Sequence, residues 1–328
     1  MYEELFEKPN VVGAGLGYMT KNGERYSEGV VVMVSRKLPL AALAPHEVIE
    51  NEYHGIVTDV MEVGHLVAPK PITAQVVDRT GRVRPAPGGV SIGHYKITAG
   101  TLGCVCYDLL TGNTVILSNN HVLANSNGAE IGDRILQPGV YDSGDYDDDY
   151  IADLLRFIPI EFSSEPPTCP ISEFVAGSAN FLARAFGSSH QLKPIKTSQT
   201  VNKVDAAIAV PLDKKDVTTD ILEIPGKIKA IQQPIIGMKV RKSGRTTGLT
   251  TNEILVVSAT VTVNYGGDLY ATFEDQFVTG PMSAGGDSGS LVLNQDELIA
   301  VGLLFAGSDQ VTICNVIDNV FDALNLAF

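Results

Sequence analysis

Three short segments carry side chains that could perform acyl transfer. The first is Ser118-Asn119-Asn120-His121-Val122-Leu123, directly after an apolar run. The second is Val204-Asp205-Ala206-Ala207-Ile208-Ala209, an acid that opens an apolar run. The third is Gly285-Gly286-Asp287-Ser288-Gly289-Ser290, a glycine-rich stretch that leads into Leu291-Val292. Acyl transfer by serine needs a hydroxyl, a base for its proton, an acid to orient the base, and backbone N–H groups for the oxyanion. Taken singly, each segment has an ordinary meaning: a strand-end histidine, a strand-edge acid, a common turn. Together, in the order His, Asp, Ser, they form a candidate triad of His121, Asp205 and Ser288. Glycine on both sides of the serine lets successive N–H groups face one point with no Cβ in the way. The N–H groups of Gly286 and Ser288 are therefore the expected oxyanion hole.

These residues need strands to hold them, and strand signals dominate from about residue 90. TAGTLGCVCYD, NTVILSNN, KVDAAIAV, EILVVSATVTVNY, LYATFEDQFV, GSLVLN, ELIAVGLLFAG and QVTICNV are short apolar or alternating runs separated by turn residues. Two helical patterns interrupt them. One lies in an insertion at about residues 161–200. The other, NVIDNVFDALNL, places Val316, Ile317, Val320, Phe321 and Leu324 on one face, with Asn315 as its expected cap. Upstream, residues 1–66 read as a small α+β unit of three strand-like runs, and the proline-rich residues 67–89 read as a linker.

The segments NNHV, VDAAIA and GGDSGS resemble the motifs of the chymotrypsin-like (trypsin-like) serine proteases. The likeness covers roughly residues 90–328. VVGAGLGYMTKNG, ITAGTLGCV, LSNNHVLANSN and GRTTGLT are similar to bacterial trypsin-like peptidases with an extra N-terminal domain, and to the plant narrow-leaf protein family. The resemblance implies a mainly β fold, a double β-barrel, with the small N-terminal α+β domain added. It implies a serine endopeptidase in which His121 is the base, Asp205 orients it and Ser288 is the nucleophile. It places the substrate pocket at Met282 and Ser283 before the nucleophile and at Phe305, Ala306 and Gly307 after it. No acid stands between Gly280 and Gly286, which favours an apolar or small residue before the cleaved bond. The interval from His121 to Asp205 is longer than in the usual template, which leaves Asp153 as a rival acid. Asp287 also needs a cationic partner, for which Arg241 and Arg245 are the candidates. A protease-like scaffold without activity, or a protease active only on itself or after assembly, is the alternative reading.

Composition narrows the surroundings. The chain has 328 residues, 44% hydrophobic and 19% charged, with a net charge of −14. That is ample material for a packed core and a poor match to nucleic acid, which needs concentrated Lys and Arg. No apolar run approaches membrane-spanning length. The N-terminus lacks the pattern of a secretory signal, and the four cysteines do not make a disulfide or zinc framework. The expectation is a cytoplasmic protein without cofactor or metal. Its partner is a protein or peptide substrate, and the N-terminal unit leaves room for homo-oligomerisation. The acidic stretch from Asp142 to Asp149 reads as a solvated loop, since it lacks the glycine and terminal glutamate of a calcium loop.

Overall fold

The parity of apolar residues decides where the strands bend. Within Gly248–Gly266 the buried positions are Ile254 and Val256, then Ala259, Val261 and Val263. The switch from even to odd coincides with a register shift between Val256 and Ala259, where Ser258 takes a φ of 46°. One extra residue at this bulge returns the apolar side chains to the same face and bends the strand. A computed structural model describes residues 2–21, 24–68, 78–97, 99–163 and 201–328. It shows a mainly β chain built on two large curled sheets.

The eight-stranded sheet contains Ser91–His94, Gly100–Thr101, Cys104–Asp108, Thr114–Ser118, Arg134–Leu136, Tyr150–Phe157, Ala207–Pro211 and Leu326–Ala327. The twelve-stranded sheet contains Lys239–Gly244, Gly248–Gly266, Leu269–Thr279, Leu291–Asn294, Ile299–Gly307 and Thr312–Val316, with smaller strands at its margins. Cys104, Leu117, Ala206 and Ile208 of the first half pack with Leu291, Leu293, Leu303 and the C-terminal helix in one apolar cluster. Burial of such side chains, about 1.5–3 kcal/mol each, holds the halves against one another.

The N-terminal strands join this architecture edge to edge. Val11–Lys21 pairs with Gly248–Gly266, Glu24–Val34 pairs with Val11–Lys21, and Ile56–Glu62 runs parallel to Glu24–Val34. The N-terminal segment thus extends the twelve-stranded sheet instead of forming a sheet of its own. The proline-rich stretch is also engaged where it is described. Ala86–Gly88 pairs with Val217–Ile221, and the buried Arg79 donates to Gly89 O and Ser243 Oγ.

The C-terminal helix spans Ile317–Leu324 and buries Ile317, Val320, Phe321 and Leu324, the expected face. Its N-cap is Val316, not Asn315, which lies in the strand Thr312–Val316 with its side chain engaged elsewhere. Most of the expected helical insertion, at residues 164–200, lies outside the described residues.

Candidate active site

His121 sits in a single helical turn, Asn120–Leu123, immediately after the strand Thr114–Ser118. The two asparagines before it tie that turn to distant backbone carbonyls. Asn119 Nδ2 donates to Asp205 O at 2.7 Å, and Asn120 Nδ2 donates to Ile158 O at 2.7 Å. His121 Nδ1 lies 2.5 Å from Asp205 Oδ2, and His121 N donates to Asp205 Oδ1 at 3.2 Å. Tyr265 adds its hydroxyl, which donates to Asp205 Oδ2 at 2.8 Å. Asp205 is fully buried, so these three donors replace the water that a carboxylate would otherwise hold. Asn315 fixes the backbone beneath it: Asp205 N donates to Asn315 Oδ1 at 3.0 Å, and Asn315 Nδ2 donates to Asp205 O at 3.3 Å. The rival acid is elsewhere, with Asp153 accepting from the hydroxyl of Tyr150.

The Ser288 turn is bolted to the His121 side of the molecule through Thr101. Thr101 N donates to Ser288 O at 2.8 Å, and Thr101 Oγ1 donates to Gly286 O at 2.8 Å. Ser118 Oγ, three residues before His121, donates to Thr101 O at 2.8 Å. Gly289 has φ +94°, and a Cβ there would come within 2.0 Å of Ser118 Oγ and 2.4 Å of Thr101 O. Glycine is therefore required at this position on both counts. Neither Gly286 N nor Ser288 N has a hydrogen-bond acceptor among the described residues. Ser288 Oγ and His121 Nε2 are both buried atoms with no hydrogen-bond partner among the described residues. Leaving buried polar atoms unsatisfied costs about 1–3 kcal/mol each, and such exceptions concentrate where chemistry is done.

Asp287 turns away from the site into a full set of donors. Thr246 N, Thr247 N, Thr247 Oγ1 and Ala284 N all donate to its carboxylate, between 2.6 and 3.1 Å. Its cationic partner is Lys242, whose Nζ lies 3.3 Å from Asp287 Oδ2 with both side chains fully buried. Burial lowers the Lys242 pKa from its ordinary value, and the adjacent Asp287 works against that shift. Neither expected arginine is that partner. Arg245 Nε donates to Asp142 Oδ2 at 2.8 Å, and Arg241 Nε has no hydrogen-bond partner among the described residues. Asp142 is therefore turned inward, as is Asp149, which pairs with Arg82 at 3.0 Å. The acidic stretch is only in part a solvated loop. Among the described residues, no cluster of three or more His, Cys, Asp or Glu could hold a metal ion.

The expected pocket residues fall into two groups. Met282, Phe305 and Ala306 are buried in apolar clusters, with the Phe305 and Phe273 ring centroids 4.8 Å apart and the planes tilted by 55°. Ser283 and Gly307 face each other beside Thr312: Ser283 Oγ lies 2.7 Å from Thr312 Oγ1, and a Cβ on Gly307 would be 3.4 Å from Ser283 Oγ. Gly307 is already engaged. Val67 N donates to Gly307 O and Gly307 N donates to Val67 O, both at 3.0 Å. On its other side the same stretch is held by Asn264, which accepts from Ala68 N and donates to Leu66 O. Nothing in the sequence marks Val67, Lys242, Tyr265 or Asn315 for these roles, because each partner is distant in the chain.

No protein-family model matches the chain, and no curated protein matches it. Solved structures to which it is similar include the Nocardiopsis protease, at 16% identity and a TM-score of 0.45, covering 73% of this chain and 96% of that one. Thermobifida fusca protease A is similar at 15% identity and a TM-score of 0.45, with 73% and 96% covered. Cellulomonas bogoriensis chymotrypsin is similar at 14% identity and a TM-score of 0.44, with 74% and 97% covered.

Proposed function

We propose that the chain is a serine-type endopeptidase. Ser288 Oγ attacks the carbonyl carbon of a peptide bond, and His121 Nε2 takes the hydroxyl proton. The resulting oxyanion accepts from Gly286 N–H and Ser288 N–H. Collapse expels the amine, which receives the proton from His121, and leaves an ester on Ser288. Water, deprotonated by His121, then hydrolyses that ester and restores the hydroxyl. Asp205 holds Nδ1 as the donor, which keeps Nε2 free to accept. The observation that carries this reading is the pairing of His121 Nδ1 with the buried Asp205, on a segment that Ser118 and Thr101 tie to the Ser288 turn. A fluorophosphonate probe tests it by labelling Ser288. Labelling of the native chain and none of Ser288→Ala is the expected outcome, and an unlabelled native chain opposes it.

A second reading concerns restraint, and Val67 favours it. A peptide substrate laid along Gly307 as an added strand would need the two backbone groups that Val67 now holds. In this reading the chain is a protease whose groove is occupied by its own residues 66–68, and activity rises when that strand leaves. Cys104, Cys106 and Cys314 are buried free thiols, which suits a reducing, cytoplasmic setting.

A further inference from the structure

We infer that Tyr265 is a positioning residue for the His121–Asp205 pair, acting from the opposite sheet through its hydroxyl. This rests on the proposed triad and extends it. Tyr265 lies near the end of Gly248–Gly266, in the twelve-stranded sheet, while Asp205 lies two residues before the start of Ala207–Pro211 of the eight-stranded sheet. Packing alone does not require a hydroxyl there. The Tyr265 ring contacts Phe162 at 5.3 Å and Phe273 at 6.2 Å between centroids, and phenylalanine would fill that space equally well. The hydroxyl is aimed instead at Asp205 Oδ2, the oxygen that also holds His121 Nδ1.

The geometry gives that hydroxyl a definite effect. Oδ1 faces His121 N–H, while Oδ2 holds both the imidazole and the phenol, so the carboxylate cannot rotate without breaking contacts on both oxygens. The Tyr265 ring also meets the imidazole edge-on, with centroids 5.8 Å apart and planes at 77°, closing one side against reorientation of His121. The phenol stays a donor over the working range. Burial raises its pKa well above the ordinary value, and the Asp205 charge and the hydrogen bond push the same way. Sharing Oδ2 between two donors also moderates its pull on the Nδ1 proton, so removing one donor strengthens the other bond.

Tyr265→Phe keeps the ring and deletes the hydroxyl. The first reading is the downfield proton resonance of His121 Nδ1–H, identified by its loss in Asp205→Asn. In Tyr265→Phe it should move further downfield. The second is the steady-state split on a peptide substrate, with kcat about ten- to a hundredfold lower and KM little changed, as for loss of a hydrogen bond to a charged group. An unmoved resonance together with native kcat would overturn the inference. Equal loss through KM with no resonance shift would also overturn it, because that pattern belongs to a merely structural ring. If the native chain proves inert to a fluorophosphonate, the peptidase reading fails while the resonance still decides the role of Tyr265. Should Tyr265→Phe melt too low to assay, 3,5-difluorotyrosine at position 265 strengthens the donor without altering the fold. The resonance should then move upfield, and no movement counts against the inference.

Discussion

Lys242 and Asp287 form an ion pair in the Ser288 turn, 3.3 Å apart and fully buried on both sides. The pair holds the residue between Gly286 and Ser288, so the spacing of the two proposed oxyanion donors depends on it. Asp287→Asn should keep part of the hydrogen bonding yet leave Lys242 buried without its counter-charge. Removing one member of a buried pair costs about 3–5 kcal/mol. A fall in thermal midpoint of several degrees and slower labelling of Ser288 are the expected results, read by calorimetry and by probe kinetics.

The same pair sets an alkaline limit. The folded chain lowers the Lys242 pKa, mainly through burial, so the proton is lost below the ordinary lysine value. By linkage, the stability penalty of burying that charge is present at neutral pH. It is relieved as pH rises from the lowered folded pKa towards the unfolded one, where the unfolded chain binds more protons. Function runs the other way, since a neutral amine no longer pairs with Asp287. Activity should therefore fall at alkaline pH while global stability does not fall through this group. Lys242→Arg, which stays charged, should lose that limb in a pH–rate profile.

Val67→Pro removes the N–H that Gly307 O accepts and leaves the Gly307 N–H contact in place. One such hydrogen bond is worth about 1 kcal/mol net, or roughly fivefold in the population of the displaced strand. Hydrolysis of a dilute peptide should rise by a few-fold relative to the native chain. An unchanged rate would mean that residues 66–68 do not compete with substrate.

Asn315→Leu removes both side-chain contacts to the Asp205 backbone and leaves the Asp205 N–H buried without an acceptor. The expected loss is about 1–3 kcal/mol, measured by denaturant titration, with a parallel loss of labelling rate.

The proposed site was legible in the sequence because its local parts are contiguous. Asn119 and Asn120 precede His121, and Gly286 and Gly289 stand on either side of Ser288, so short motifs carry both the turn and the proposed reactive atom. The β-rich architecture and the buried face of Ile317–Leu324 were legible through periodicity. What escaped depends on pairing across the chain. Asn315 looks like a helix cap by its position, but it is drawn into the strand Thr312–Val316 by Asp205, whose backbone it satisfies. Arg245 looks like the partner of Asp287, yet the nearby Asp142 takes it, and the alternation of the strand Lys239–Gly244 turns Lys242 inward instead. Residues 1–66 look self-contained until their strands meet the edge of Gly248–Gly266.

The most direct test of the central claim is the rate at which a fluorophosphonate modifies Ser288 in three chains: native, Asp205→Asn and Asp153→Asn. If His121, Asp205 and Ser288 act as one unit, Asp205→Asn should lower that rate by about 10⁴-fold, whereas Asp153→Asn should stay within a few-fold of native. Equal rates in the native and Asp205→Asn chains would contradict it.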